Sequence, residues 1–100
     1  MEIIVAQSAK DDLTSRFAFY ECQEKGQGHY FLDCMLQDIA ALAATAGIHR
    51  QRHGLFCALA KHHPYQLFYS IENGVVYLWR ILDSRRSPDW IRNAVNKRSL

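Results

Sequence analysis

The stretch Tyr65-Gln66-Leu67-Phe68-Tyr69-Ser70-Ile71-Glu72-Asn73-Gly74-Val75-Val76-Tyr77-Leu78-Trp79-Arg80-Ile81-Leu82 decides the fold of this 100-residue chain. Its two arms are rich in β-branched and aromatic residues, which suit a pleated, half-buried surface. Asn73-Gly74 between them is a two-residue hairpin signal, because a type I′ turn needs positive φ at both central positions. The pattern predicts strands over 65–72 and 75–82. Such a turn pairs Glu72 with Val75. Counting back pairs Ile71 with Val76, Tyr69 with Leu78, Leu67 with Arg80 and Tyr65 with Leu82. Alternation sets these last eight residues on one face and Gln66, Phe68, Ser70, Tyr77, Trp79 and Ile81 on the other. Both faces are largely apolar, so both need a cover.

Working outward toward the N-terminus, Glu2 to Ala6 reads as a short strand. Its contiguous Ile3, Ile4 and Val5 suit a strand covered on both faces. Ser8 looks like an N-cap with Asp11 three residues on. Leu13, Phe17 and Tyr20 then fall at helical spacing, which predicts a helix over 9–24, broken by Gly26 and Gly28. A second helix follows over 30–46. Phe31, Met35, Ile39, Leu42 and Ala46 form its apolar stripe, and Gly47 is its C′ residue. Two helices so closely joined form an antiparallel hairpin, able to cover one face of the sheet.

Toward the C-terminus, His49-Arg50-Gln51-Arg52-His53-Gly54 reads as a polar loop and 55–61 as a strand. Ser87-Pro88 has the form of an N-cap followed by proline at N1, predicting a helix over 88–96. That helix, or a partner chain, must cover the face carrying Phe68, Tyr77, Trp79 and Ile81. Its shortness favours the partner, since large exposed apolar patches mark interaction sites. The expected fold is α+β: an N-terminal strand, a helix hairpin on one face of a mainly antiparallel sheet, and a short C-terminal helix. All of it forms one domain over 1–100.

Hydrophobic residues are 49% and charged residues 22% of the chain, a globular balance that excludes a disordered tail. No apolar run approaches the roughly 20 residues of a membrane helix, and the first residues lack the form of a signal peptide. Cys22, Cys34 and Cys57 are an odd number without a C-x-x-C pair, as expected of reduced thiols. A cytoplasmic protein with no membrane partner is therefore expected. The net charge of +2 hides a polarity. Residues 1–48 carry three bases and seven acids, whereas residues 80–100 carry six bases and two acids. A basic C-terminal part suits a negatively charged partner or a solvated tail.

No metal site or cofactor is expected. His49 and His53 lie in an irregular stretch, and neighbouring His62 and His63 would point to opposite faces of a strand, whereas zinc needs three or four convergent ligands. Neither a nucleophile elbow nor a glycine-rich phosphate loop is present. The basic cluster says more. Arg85 and Arg86 follow a strand and precede a helix, with Trp90 and Arg92 just beyond. Arginine with aromatic surface suits both a protein-interface hot spot and single-stranded nucleic acid. Arg80, placed by the register on the helix-covered face, must snorkel to an edge or pair with a carboxylate, for which Asp33 and Asp38 on the second helix are candidates.

The segment His63-Pro64-Tyr65-Gln66-Leu67-Phe68-Tyr69-Ser70-Ile71-Glu72, then Val76 to Trp79, then Arg80-Ile81-Leu82-Asp83-Ser84-Arg85-Arg86-Ser87-Pro88 resembles the RelE/ParE superfamily of bacterial toxins. ParE-like members show a Pro-Tyr-Arg-Ile-Phe-Tyr-type strand, a turn, and a strand ending in Arg-Val-Leu-His-x-Arg-Arg-Asp-Pro. The element order agrees along nearly the whole chain. The resemblance implies the toxin of a type II, plasmid-stabilisation-like system, held by a cognate antitoxin. RelE-like members cut messenger RNA on the ribosome, whereas ParE-like members poison DNA gyrase without hydrolysis. This chain departs from the nuclease pattern. Leu55-Phe56-Cys57-Ala58-Leu59-Ala60-Lys61 stands where cleaving members carry several lysines, and Gln66 stands where they often carry arginine. The resemblance thus implies a ParE-like, non-enzymatic toxin. Target contacts fall to Arg85, Arg86, Trp90 and Arg92, and antitoxin contacts to Phe68, Tyr77, Trp79 and Ile81. The alternative is a RelE-like nuclease using Lys61, His62, His63 and Arg86. A second alternative is a toxin fold that acts only as a binding partner or operon co-repressor. The oligomeric state stays open between a homodimer and a toxin–antitoxin hetero-oligomer.

Overall fold

The computed structural model describes residues 1–100. The hairpin organises everything else. Strand β4 (Tyr65–Glu72) and strand β5 (Val75–Asp83) are joined at Asn73 and Gly74, with φ of 54° and 76°, the paired positive values of a type I′ turn. Strand β3 (Leu55–Leu59) pairs antiparallel with β4, and the two-residue strand β2 (Gln51–Arg52) pairs with β3. Strand β1 (Glu2–Val5) pairs in parallel with β5, so the sheet order is β1-β5-β4-β3-β2. Ile3, Ile4 and Val5 are half-buried on an edge strand rather than covered on both faces.

From the turn back to Tyr69 the register is the expected one: Glu72 faces Val75, Ile71 faces Val76 and Tyr69 faces Leu78. There it shifts. Phe68 pairs with Arg80, Leu67 with Ile81, Gln66 with Leu82 and Tyr65 with Asp83, which leaves Trp79 as one extra residue. A β-bulge of this kind exchanges the two faces for all that follows. Ile81, expected beside Phe68, therefore turns inward among Tyr65, Leu67 and Leu78, while Leu82 joins Phe68 on the other face. Arg80 leaves the helix-covered core that the unshifted register assigned it.

Helix α1 (Gln7–Gln23) and helix α2 (Gln27–Thr45) cover the first face. Phe31, Met35, Ile39 and Leu42 of the expected stripe are buried against Tyr65, Leu67, Tyr69, Val76, Leu78 and Ile81. Gly28 lies inside α2, where the helices nearly touch: a Cβ there would sit 2.7 Å from the Phe17 carbonyl oxygen. The Glu21 carboxylate accepts the Gly26 and Gly28 backbone N–H groups at 2.9–3.1 Å, fastening the hairpin turn. Those bonds, first of all the one from Gly26, hold its carboxyl below the usual range.

Helix α3 (Pro88–Asn96) covers the second face. Ser87 caps it by accepting the Trp90 N–H at 3.2 Å, and Pro88 opens it as expected. Ile91, Ala94 and Val95 are spaced along one side and pack on Leu55, Cys57, Phe68 and Leu82. Burying an aliphatic side chain contributes roughly 1.5–3 kcal/mol, so Ile91 and Val95 are the main anchors of this short helix. The cover left to a partner chain is thus supplied by this chain itself.

Ser8 is not an N-cap. Helix α1 starts two residues earlier, after Ala6. The Ser8 hydroxyl donates to the carbonyl of the bulged Trp79 at 2.6 Å and accepts the Ser99 N–H at 3.1 Å. It so satisfies a carbonyl that the bulge removes from the ladder, and ties the C-terminus to the start of α1.

Candidate functional site

Beyond Val5, strand β1 ends while β5 continues, so the outer edge of β5 is open from Trp79 onward. Asp12 of α1 fills the gap. One carboxylate oxygen accepts the Ile81 backbone N–H at 2.9 Å and the Arg80 Nε at 2.8 Å, and the other accepts Arg80 Nη2 at 2.8 Å. The Arg80 Nη1 donates to the carbonyl of Ala94 in α3 at 2.6 Å. Both side chains of the pair are about 15% exposed. Three elements meet on one guanidinium, and it is Asp12 of the first helix, not Asp33 or Asp38 of the second, that supplies the carboxylate.

This knot floors a cleft of about 240 Å³ lined by Asp12, Ser15, Arg16, Tyr65, Arg80, Ile81, Leu82, Asp83, Arg86 and Trp90. The cations around it are not equivalent. Arg80 is spent on Asp12. Arg85 forks onto Asp83 at 2.7 and 3.0 Å, and its backbone N–H also donates to that carboxylate. The Arg85 side chain holds the Asp83 carboxyl below its ordinary value, and Asp83 raises that of Arg85. Arg92 pairs with Asp89 at 2.8 Å one turn along α3. Arg86 and Arg16 have no carboxylate partner. The Arg86 guanidinium lies over the Trp90 ring, 4.6 Å from its centroid, and that of Arg16 lies over Phe19 at 4.7 Å. Trp90 remains 39% exposed at the rim. Deep in the cleft, burial, and next the Tyr20 hydroxyl 3.4 Å away, push the Tyr65 phenol far above its usual value, so it stays protonated and able to donate.

A family model of the ParE toxin of type II toxin-antitoxin systems, parDE, matches residues 3–88. The chain belongs to the ParE toxin family. A solved structure described as the chromosomal ParDE TA system from P. aeruginosa superposes with a TM-score of 0.72 at 14% identity, over 81% of this chain and 92% of that one. Identity so low speaks for the fold, which agrees with the expected α+β architecture. Comparison with curated proteins yields no sequence match.

In this ParE-family chain the four expected target contacts gather at one end of the sheet, but only Arg86 and Trp90 line the cleft. Arg85 and Arg92 stand outside it with carboxylates already engaged. Asp12, Arg16 and Tyr65 belong to the cleft and escaped the sequence reading. The one signal for the first two was their i,i+4 spacing, which sets them on one side of α1.

The expected antitoxin surface divides. Tyr77 and Trp79 are half-buried and stacked, 6.0 Å between centroids, with the Arg98 guanidinium over Trp79 at 5.5 Å. Phe68 and Ile81 are 0% and 1% exposed, under α3 and under the helix hairpin respectively. No partner reaches either without moving a helix.

The nuclease set does not assemble around the cleft. Lys61 and His62 are exposed, and neither they nor His63 line it with Arg86. His63 packs among the rings of Tyr20, Tyr30 and Phe31, with centroids 5.1–5.7 Å apart, and its Nδ1 is buried without a partner. Burial, and then the neighbouring His62, lower its pKa. Nowhere do three His, Cys, Asp or Glu side chains converge in a metal-binding group. No helix is long and apolar enough to cross a membrane.

Proposed function

We propose that this chain is a single-domain, cytoplasmic ParE-like toxin that arrests growth by binding DNA gyrase, and that a cognate antitoxin neutralises it. The observation that carries the reading is the Arg86–Trp90 stack at the cleft rim. An unpaired guanidinium seated over a part-exposed indole offers charge, hydrogen-bond donors and apolar area from one spot, the chemistry of a binding hot spot. Arg16 faces the same cleft from α1 and adds a second free cation. The Asp12–Arg80 knot beneath keeps α1, β5 and α3 in fixed relation, so that the rim is preorganised. Hydrolysis would instead call for a base and an acid within reach of one substrate bond. Of the residues suited to that work, His63 is caged by aromatic rings, whereas Lys61 and His62 point to solvent.

The test is induced expression in bacteria without antitoxin, following DNA and protein synthesis by pulse labelling. The reading expects DNA synthesis to fall first. It expects Arg86→Ala and Trp90→Ala, at exposed positions, to relieve the arrest while the proteins remain folded. Protein synthesis stopping first would replace this reading with ribosome-dependent cleavage. Unimpaired growth would leave a toxin fold that serves only as a binding partner.

A further inference from the structure

We propose that a second groove, on the face away from the helix hairpin, binds an acidic peptide segment carrying an apolar residue. The groove encloses about 420 Å³ and is lined by His49, Arg50, Arg52, Cys57, Leu59 and Gln66. Three observations define its occupant. Arg50 and Arg52 are exposed, and neither takes part in any salt bridge of the molecule. Gln66 is only 5% exposed, and its buried Oε1 has no hydrogen-bond donor. Such an unpaired buried acceptor is costly and calls for an N–H or O–H from elsewhere. Leu59 stands 73% exposed on the rim, where an aliphatic side chain has nothing to cover it.

Carboxylates answer the two arginines, an apolar side chain answers Leu59, and a peptide N–H answers Gln66. Strand β2 pairs only with Leu55 and Phe56, so no strand flanks Ala58 or Leu59 on the outer side, and an extended segment has room along that edge. Single-stranded nucleic acid would need an open stacking platform. No Phe, Tyr or Trp lines this groove, and the one ring, His49, stands edge-on to Tyr69 and is hydrogen-bonded to its hydroxyl. The groove lies apart from the cleft of Arg86 and Trp90, sharing no lining residue with it. The inference deepens the reading of a toxin with a protein antagonist and rests on it.

The experiment is fluorescence anisotropy with three labelled probes: a decapeptide alternating glutamate and leucine, the same peptide with lysine for glutamate, and a decamer of uridine RNA. The acidic peptide is expected to bind saturably and to weaken as salt rises. Arg50→Glu with Arg52→Glu should weaken it at least about tenfold, by turning attraction into repulsion. Gln66→Leu should weaken it about three- to tenfold, the worth of one hydrogen bond, and leave the melting temperature unchanged or higher. No binding of the acidic peptide, or equal binding to the charge-reversed protein, overturns the inference. Stronger, arginine-dependent binding of the RNA overturns it in favour of a nucleic-acid groove. Growth arrest by the wild-type protein is read in parallel with its peptide binding. Arrest with no peptide binding condemns this inference alone, whereas peptide binding without arrest condemns the toxin reading.

Discussion

Replacing Asp12 by alanine removes three acceptor contacts at 2.8–2.9 Å from a site only about 15% exposed. Arg80 is left with the Ala94 carbonyl as its sole partner, and the Ile81 N–H loses its acceptor at the open edge of β5. Breaking a buried pair from one side costs about 3–5 kcal/mol. The residual exposure of both groups argues for the low end, about 3 kcal/mol, a large share of the roughly 5–15 kcal/mol that holds a domain together. For a chain of this size that lowers the melting temperature by roughly 12–24 °C. Asp12→Asn keeps one carbonyl oxygen for the Ile81 N–H and loses the charge, so it should cost about half as much. Arg80→Met in the Asp12→Ala background removes the stranded cation. The double variant should therefore be more stable than the sum of the single losses implies, by about 1.5–3 kcal/mol. Urea denaturation followed by circular dichroism measures the wild type, Asp12→Asn, and the Asp12→Ala, Arg80→Met and double variants of the cycle. A loss below about 1 kcal/mol for Asp12→Ala, or strict additivity in the cycle, would refute the assignment of this pair as the joint between α1, β5 and α3.

Three further outcomes are expected. Gly28→Ala brings a methyl within 2.7 Å of the Phe17 carbonyl and 2.9 Å of the Glu21 Cβ. It should destabilise by about 1–3 kcal/mol as the helices part, read as a fall in the urea midpoint. His63 has its pKa lowered by burial, so the unfolded chain binds a proton near pH 6.5 while the folded chain stays neutral. Its contribution is complete above about pH 6.5 and declines as pH falls toward the folded value. His63→Phe should flatten the wild-type slope of melting temperature against pH in that window. Phe68→Ala should cost about 3–5 kcal/mol and speed amide exchange in α3, since this ring is the seat of that helix. A stable Phe68→Ala protein with only weakened antitoxin binding would restore Phe68 to a partner surface.

Local signals carried much of the fold. Asn73-Gly74 and Ser87-Pro88 each demand a particular backbone conformation from neighbouring residues, and β4 ends and α3 begins where those signals put them. The bulge at Trp79 left no such mark. Trp79, Ile81 and Leu82 are all apolar, so a slip of one residue exchanges apolar for apolar and the alternation gives no warning. Arg80 alone carried the warning, as a charge assigned to a core. Its true partner lies 68 residues away on the first helix, a pairing that depends on where β1 ends and how α1 crosses β5. Strand β2 was missed because it is two residues long. Its turn, His53-Gly54, takes φ of 54° and 81°, which histidine signals far more weakly than asparagine does. The same distinction holds for the cleft. Arg86 and Trp90 are close in sequence and were readable, whereas Asp12, Arg16 and Tyr65 join them only through the packing of α1 on the sheet.

The proposed inhibition of gyrase through the Arg86–Trp90 rim can be measured with purified DNA gyrase. Supercoiling of relaxed plasmid is measured with the wild-type protein and with Arg86→Ala and Trp90→Ala. The wild type is expected to cause a dose-dependent loss of supercoiling, strongly reduced in both variants at unchanged melting temperature. Full gyrase activity at saturating wild-type protein, with messenger RNA cut on ribosomes by the same preparation, would contradict it.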